Sequence, residues 1–205
     1  LKLNENLKSE YHKFMEDYVK VGHMDKVNKN NTGKYYMPHQ AVIRNDHSTT
    51  KVRVVFDASA KSSNGRSLND VLHTGPKLQH DIFEILIIWR LWQYVVTADV
   101  EKMFRQLNVA KEDQTYQMIL WRTDVRRPIE EYKLKTVTYG TACAPFLAKR
   151  SLLEIANECQ ETNPRVYKII KDNFYMDDLM TGADTKEECK KIQKVNNQLQ
   201  KFGFI

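Results

Sequence analysis

Two adjacent carboxylates, Asp177 and Asp178, lie between short apolar and aromatic stretches of the chain. Such flanks are typical of short strands, so Tyr-Met-Asp-Asp at 175–178 is predicted to form the tip of a hairpin. Two acids at one tip repel each other and shift each other's pKa unless a cation neutralises them. Mg²⁺ prefers oxygen ligands and is the natural partner of such a pair. A lone Asp-Asp pair is more often a solvated turn, so the chemistry depends on a third acid.

Asp99 supplies that third carboxylate, at the end of a run of strand-forming residues that begins at Tyr94. An unpaired carboxylate at the end of a buried strand is costly, so packing alone accounts for it poorly. If this strand and the hairpin are neighbours in one sheet, the three acids meet. Three carboxylates can hold two divalent ions about 4 Å apart, the arrangement that serves in-line phosphoryl transfer.

The elements that must position these acids are predicted from hydrophobic periodicity. Helical spacing of apolar residues predicts helices over 4–21, 78–92 and 185–202, the last opened by a capping box at Thr185. Pro145 is well placed as the first residue of a further helix over 145–160. In the helix over 78–92, the predicted core stripe is Ile82, Ile85, Leu86, Trp89 and Trp92. Strands are predicted over 35–43, 51–56, 114–122 and 132–138, and strand-like composition continues at 166–170. The order lacks βαβ regularity and indicates an α+β fold.

Composition limits the class of protein. The chain has 205 residues, 41% of them hydrophobic, which suffices for one core or two smaller subdomains. A net charge of +6 fits a polyanionic partner without establishing one. Its 3 cysteines have no paired spacing, which indicates neither a disulfide framework nor a zinc site and favours a reducing compartment. With no membrane-length apolar run and no signal peptide, we expect a soluble protein without a membrane partner.

Eight short motifs, in order over about 36–205, resemble those of reverse transcriptases, and most closely those of BEL/Pao-type LTR retrotransposons. They are Tyr-Met-Pro-His at 36–39, Arg-Val-Val-Phe-Asp-Ala-Ser at 53–59, Ser-Leu-Asn-Asp at 67–70, Gly-Pro-Lys-Leu-Gln at 75–79, Thr-Ala-Asp-Val-Glu-Lys-Met-Phe at 97–104, Val-Thr-Tyr-Gly at 137–140, Ala-Pro-Phe-Leu-Ala at 144–148 and Tyr-Met-Asp-Asp (YMDD) at 175–178.

The resemblance implies an RNA-directed DNA polymerase, a nucleotidyltransferase that adds a deoxynucleotide from a dNTP to a primer 3′-hydroxyl on an RNA or DNA template. Asp99, Asp177 and Asp178 would be its catalytic residues, and with Val100 they would hold two Mg²⁺ ions, for which Mn²⁺ is the alternative. Asp177 is the more direct ligand of the adjacent pair.

The resemblance also implies the residues that bind substrate. Arg53 stands four residues before Asp57, as the family's arginine does, and would grip the triphosphate together with Arg44 and Lys51, which flank a polar loop. Phe104 would exclude a 2′-hydroxyl by its bulk. Tyr139 stands where most relatives carry Gln, and Ala144 where they carry Ser. The remaining predicted substrate contacts are Gly140, Tyr175 and Met176.

In the family's right-hand architecture, fingers would span 1–87 and 108–143, and a palm with an antiparallel sheet packed on helices would span 88–107 and 144–205. We expect the thumb and RNase H to be absent from these residues, which would be a piece of a polyprotein with protease, thumb, RNase H and integrase segments. The expected location is cytoplasmic, in a virus-like particle, or nuclear, and not secreted.

Two other functions remain open from the sequence. A catalytically inactive retroelement relic would keep the fold and act as a nucleic-acid- or protein-binding module. A metal phosphohydrolase would also use three carboxylates, but the spacing from Asp99 to Phe104 would then be a coincidence.

Overall fold

A computed structural model of the protein describes residues 5–27, 33–43 and 52–204. The chain divides into two compact units, each built from two separate segments. The first unit comprises Leu1–His73 and Leu107–Ala144, and the second comprises Thr74–Gln106 and Pro145–Ile205.

The regular elements of the described residues mix helices with short strands. In chain order they are α1 (Glu5–Lys20), β1 (Met24–Lys26), β2 (His39–Ile43), β3 (Val52–Phe56), α2 (Ile82–Leu91), β4 (Tyr94–Asp99), β5 (Met118–Trp121), β6 (Glu130–Leu134), α3 (Ala144–Asn157), α4 (Pro164–Asp172), β7 (Phe174–Tyr175), β8 (Asp178–Ala183), α5 (Lys186–Lys191) and α6 (Gln193–Gln200). Short 3₁₀ helices occur at Met103–Gln106 and Gln114–Tyr116.

The first unit contains a three-stranded sheet in the order β1-β6-β5 and a two-stranded sheet of β2 and β3. All strand pairs in these sheets are antiparallel. Helix α1 turns one face to the core and buries Tyr11, Met15 and Tyr18 there, beside Phe56 of β3. This face has the spacing that the sequence predicts for an amphipathic packing helix.

The second unit contains a sheet in the order β4-β8-β7, with both strand pairs antiparallel. Helix α2 packs against β7 and β8, and α4 packs against β7 and α6. The predicted combination of helices with antiparallel sheet is therefore confirmed. The central strand β8 contains Gly182, where an added Cβ would lie 2.5 Å from the Tyr94 carbonyl oxygen of β4, so only glycine fits this close approach.

Residues 166–170 are a helix and not the strand that their composition suggested. Asn163 caps α4 by accepting a hydrogen bond from the Val166 N–H (3.4 Å), and Pro164 occupies the first turn. Val166, Ile169 and Ile170 are buried at i, i+3 and i+4 spacing. This helical periodicity and the cap outweigh the local preference of β-branched residues for strands.

The helix predicted over 185–202 is divided into α5 and α6. The Thr185 side chain caps α5 by accepting from the Glu188 N–H (3.3 Å), as the capping box predicts. At Ile192 the backbone makes bonds of three-residue span, from Ile192 to Cys189 and from Val195 to Ile192. These tighter 3₁₀-type bonds separate the two helices.

The predicted core stripe of 78–92 is only partly buried. Ile85 is buried in α2, whereas Leu86 is 38% exposed and Ile82, Trp89 and Trp92 have intermediate burial. The helix is apolar around most of its circumference, so part of that surface necessarily faces away from β8.

The chain passes from one unit to the other at three points, after His73, after Gln106 and after Ala144. The first boundary falls after His73, because residues 74–87 lead into α2, which packs against the sheet of the second unit. Assignment of the units to fingers and palm stays a prediction.

No helix within the described ranges combines the length and the apolar content needed to cross a membrane.

Candidate active site

Strand pairing places the three acids at one end of the sheet in the second unit. Asp99 is the last residue of β4, and its register partner is Asp178, the first residue of β8. Partners in an antiparallel pair have Cα atoms roughly 5 Å apart. Asp177 directly precedes Asp178, and its carbonyl accepts a hydrogen bond from the Val100 N–H (2.9 Å). Residues from two distant parts of the chain thus meet at one place.

The turn that carries Asp177 is tight. Tyr175 of β7 pairs with Asp178 of β8, so only Met176 and Asp177 connect the two strands. Met176 has a φ of +54°, in the left-handed region that residues with a side chain seldom adopt. Its N–H donates to the side-chain oxygen Oε1 of Gln79 (3.3 Å).

The acids interact electrostatically. Partial burial raises the pKa of Asp178 above its ordinary value, and the negative charges of Asp177 and Asp99 raise it further. This mutual repulsion is what a bound cation would relieve.

The acids fit a divalent cation in their chemistry but do not form a ready-made cage. Their carboxylate oxygens are the donors that hard ions such as Mg²⁺ prefer, and Asp99, Asp177 and Asp178 are all exposed. Across the described ranges, no group of three or more His, Cys, Asp or Glu side chains is placed to hold a metal ion. The backbone brings the acids together, and their side chains do not converge on one point.

The residues that follow Asp99 hold Phe104. Val100 is buried, a turn at 101–102 follows, and the 3₁₀ helix Met103–Gln106 begins with the fully buried Met103. Phe104 is half-buried in this helix. Lys102 adopts a φ of +50° and pairs with Glu101.

The predicted phosphate-binding residues belong to the first unit. Arg53 is exposed on β3, where its register partner is Val42 of β2. Arg44 and Lys51 lie outside the described residues, so the structure says nothing of them.

The predicted contacts Tyr139 and Gly140 are held against β3. The Tyr139 hydroxyl donates to the carbonyl of Val54, and its ring lies 5.8 Å from that of Phe56. Gly140 has a φ of +95°, and an added Cβ would lie 3.0 Å from the Phe56 carbonyl oxygen. The conformation of this turn therefore requires glycine.

Asn69 fixes the same turn and was not among the predicted site residues. Its Nδ2 group donates to the Ser59 hydroxyl (2.8 Å) and the Gly140 carbonyl (2.9 Å), and its Oδ1 accepts from the Ala142 N–H (2.8 Å). Gln79 in the second unit was also not among the predicted site residues. Both residues stand in motifs of the sequence, at 67–70 and 75–79, which was the available signal.

The predicted residues thus divide between the units. The second unit holds Asp99, Val100, Phe104, Tyr175, Met176, Asp177 and Asp178. The first unit holds Arg53, Tyr139 and Gly140.

Comparison with known families gives one match. The family model described as reverse transcriptase (RNA-dependent DNA polymerase) matches residues 27–205, a range that includes both units' site residues. A search of curated proteins finds no match. Since the match covers most of the 205 residues, the chain belongs to the reverse transcriptase family, whose members are nucleotidyltransferases.

Proposed function

We propose that the protein transfers a nucleotide from a dNTP to a primer 3′-hydroxyl by two-metal catalysis, with RNA or DNA as template. The observation that carries this proposal is the register pair Asp99–Asp178, with Asp177 in the adjoining turn. Reverse transcriptases as a family act on a template with a primer and on dNTPs, and generally use divalent ions.

The three acids would hold the ions, with the Val100 carbonyl as a further oxygen. Two bound Mg²⁺ ions, or Mn²⁺ in their place, would neutralise charge on the attacking and leaving oxygens. The raised pKa of Asp178 supports this role, because partial burial and the negative charges of Asp177 and Asp99 disfavour its ionised form, which a bound cation would stabilise. Exposure of all three side chains leaves them free to turn toward an ion.

Arg53 would bind the triphosphate. Its guanidinium is exposed on β3 and can donate two parallel hydrogen bonds to one phosphate. Arg44 and Lys51, which lie between β2 and β3 in the sequence, would add positive charge.

The sugar and base would meet apolar and backbone groups. Phe104 would exclude a 2′-hydroxyl by its ring, and Tyr175 and Met176 would lie beside the primer end. The Tyr139 hydroxyl already donates to Val54, so Tyr139 would contribute its ring and the backbone of Gly140.

We place the protein in the BEL/Pao lineage of LTR retrotransposons on the eight ordered motifs. The first unit would then correspond to fingers and the second to palm of a right-hand polymerase. Thumb, RNase H, protease and integrase would belong to the same polyprotein. Its site of action would be a cytoplasmic virus-like particle or the nucleus.

Primer extension with Mg²⁺ tests the proposal, on this chain and on the chain extended through the downstream thumb. We expect Asp177→Asn and Asp99→Asn each to lower incorporation by at least about 100-fold, because a lost charge-stabilising group in an active site costs that much. Asp184→Asn is the matched control, since Asp184 is an exposed acid that follows β8 outside the site.

Equal incorporation by Asp177→Asn and Asp184→Asn would contradict the proposed roles of the acids. Metal-independent nucleic-acid binding without incorporation would instead indicate the inactive relic.

A further inference from the structure

We propose that Gln79 is a positioning residue that holds the Tyr-Met-Asp-Asp turn, and with it Asp177, in the conformation that catalysis needs. The inference rests on the proposed function of Asp177. It also gives a role to the Gly-Pro-Lys-Leu-Gln segment at 75–79, which the active site described above does not use.

The turn needs support from outside the hairpin. The left-handed region is unfavourable for a residue with a side chain, and such strain persists only when the surroundings impose it. Met176 is in this region at φ +54°.

Two groups from elsewhere in the second unit hold the turn. Gln79 Oε1 accepts the Met176 N–H at 3.3 Å, and the Val100 N–H donates to the Asp177 carbonyl at 2.9 Å. One contact therefore fixes the entry to the turn and the other its exit. Val100 follows the catalytic Asp99 directly, so its contact also ties the turn to β4.

Gln79 is itself held between two anchored points. At Gly75, with φ +73°, an added Cβ would lie 2.4 Å from the Phe146 ring, so the segment begins in direct contact with α3. Two residues after Gln79, Asp81 caps α2 by accepting from the Phe83 N–H (3.0 Å). Because both ends of the segment are fixed, the position of the half-buried Gln79 is fixed as well.

Glutamine is chemically suited to position 79. Holding an N–H requires an acceptor, which both an amide and a carboxylate provide. A carboxylate beside Asp177 and Asp178 would add to the repulsion that already raises the pKa of Asp178. Glutamine supplies the acceptor without a fourth negative charge.

Hydrogen–deuterium exchange of the 205-residue chain tests the contact without any reaction. Gln79→Met keeps an unbranched side chain of similar length and removes the acceptor, whereas Gln79→Glu keeps an acceptor oxygen. Gln160→Met is the matched control, because Gln160 is exposed beyond the end of α3.

We expect the Met176 amide to exchange about fivefold faster in Gln79→Met, the factor that one net hydrogen bond provides. Protection should be retained in Gln79→Glu and in Gln160→Met. Amides of β4 and β8 should exchange at wild-type rates in all three variants, since the effect is local.

Primer extension then tests whether holding the turn matters for catalysis. We expect Gln79→Met to lower kcat about tenfold, with the KM for template–primer unchanged, because the turn presents the acids and not the duplex. Unchanged Met176 exchange, faster exchange throughout β4 and β8, or faster Met176 exchange with unchanged kcat would each overturn the inference.

Failure of the proposed function has a different signature. A wild-type protein without incorporation would contradict the polymerase proposal. The exchange of the Met176 amide would still decide whether Gln79 holds the turn.

Discussion

Asn69 shows how a single uncharged residue can fix a turn in the first unit. All three of its side-chain bonds are short. Two of them, to Gly140 and Ala142, join segments that are 71 and 73 positions apart in the chain. Both hydrogens of its amide nitrogen are donated, and the amide oxygen accepts. The turn at Tyr139 and Gly140, two predicted substrate contacts, therefore depends on this amide.

We predict that Asn69→Ala destabilises the protein by about 2–3 kcal/mol, since a net hydrogen bond contributes about 1 kcal/mol. Urea unfolding measures the change. Asn108→Ala, at an exposed position of the same unit, is the control and should cost less than about 0.5 kcal/mol. Equal losses in the two variants would show that the three bonds add nothing to stability.

The residues of the site differ in how far sequence alone reveals them. Asp99, Asp177 and Asp178 are recognisable because packing seldom accounts for a carboxylate at the end of a strand-like run. Asn69 bonds to Gly140, 71 positions away, and Gln79 bonds to Met176, 97 positions away. Their side-chain amides are uncharged, so neither residue stands out in the sequence as a candidate for chemistry. Their roles depend on contacts between segments that are distant in the chain, and no local sequence pattern predicts those contacts.

Lys149 links two helices of the second unit. Its side chain is only 4% exposed, and its Nζ donates to the Lys171 carbonyl (2.8 Å) near the end of α4. Burial lowers the pKa of Lys149 from 10.5 to about 8. The unfolded chain therefore binds more protons than the folded protein between about pH 8 and pH 10.5, and stability rises with pH in that window.

We predict that the stability of the wild type relative to Lys149→Met rises by on the order of 3 kcal/mol between about pH 7 and about pH 10.5, at roughly 1.36 kcal/mol per pKa unit. Urea unfolding at both pH values measures this difference. Leu153→Met, a change without a titratable group in the same helix α3, should show no such trend. A constant difference between wild type and Lys149→Met would mean that burial does not lower this pKa.

At the scale of elements, the sequence predicts helices better than their ends or their burial. Helix α2 lies close to the range 78–92 predicted from apolar spacing, and α3 lies close to the range 145–160 predicted from the position of Pro145. Helix α4 was predicted as a strand, because Val166, Ile169 and Ile170 favour strands locally while their spacing also fits a helix. The contacts of α4 with β7 and α6 decide between the two, and they form only in the folded chain.

At the scale of the whole molecule, each unit is assembled from segments that are distant in the chain. Residues 74–106 and 145–205 together form the unit whose sheet has the three acids at one end. Residues 107–144, which lie between these ranges in the sequence, belong to the first unit. The resemblance to reverse transcriptases also predicts two domains that alternate along the chain, and their assignment to these units stays a prediction. Residues 74–87 belong to the second unit, in which α2 contacts β7 and β8, and these contacts cannot be read from the sequence.

Net charge is a property of the whole chain, and at +6 it should favour a polyanion. A protein that neutralises about four phosphates of a duplex loses roughly 100-fold in affinity between about 50 and 200 mM salt, because counterions are released on binding. We predict a loss of this size for an RNA–DNA template–primer, measured by fluorescence anisotropy in a chelator so that no metal-bridged contact contributes.

The matched control for this prediction is a duplex of the same sequence with a neutral methylphosphonate backbone. Its binding should be weak and nearly independent of salt, because it has no condensed counterions to release. Salt-independent binding of the natural duplex would contradict the prediction, because it would mean that the basic side chains of the protein do not contact its phosphates. A steep salt dependence would show that positive charge binds the template–primer. Loss of incorporation in Asp177→Asn would show that catalysis depends on the carboxylates, so the two functions belong to different residues.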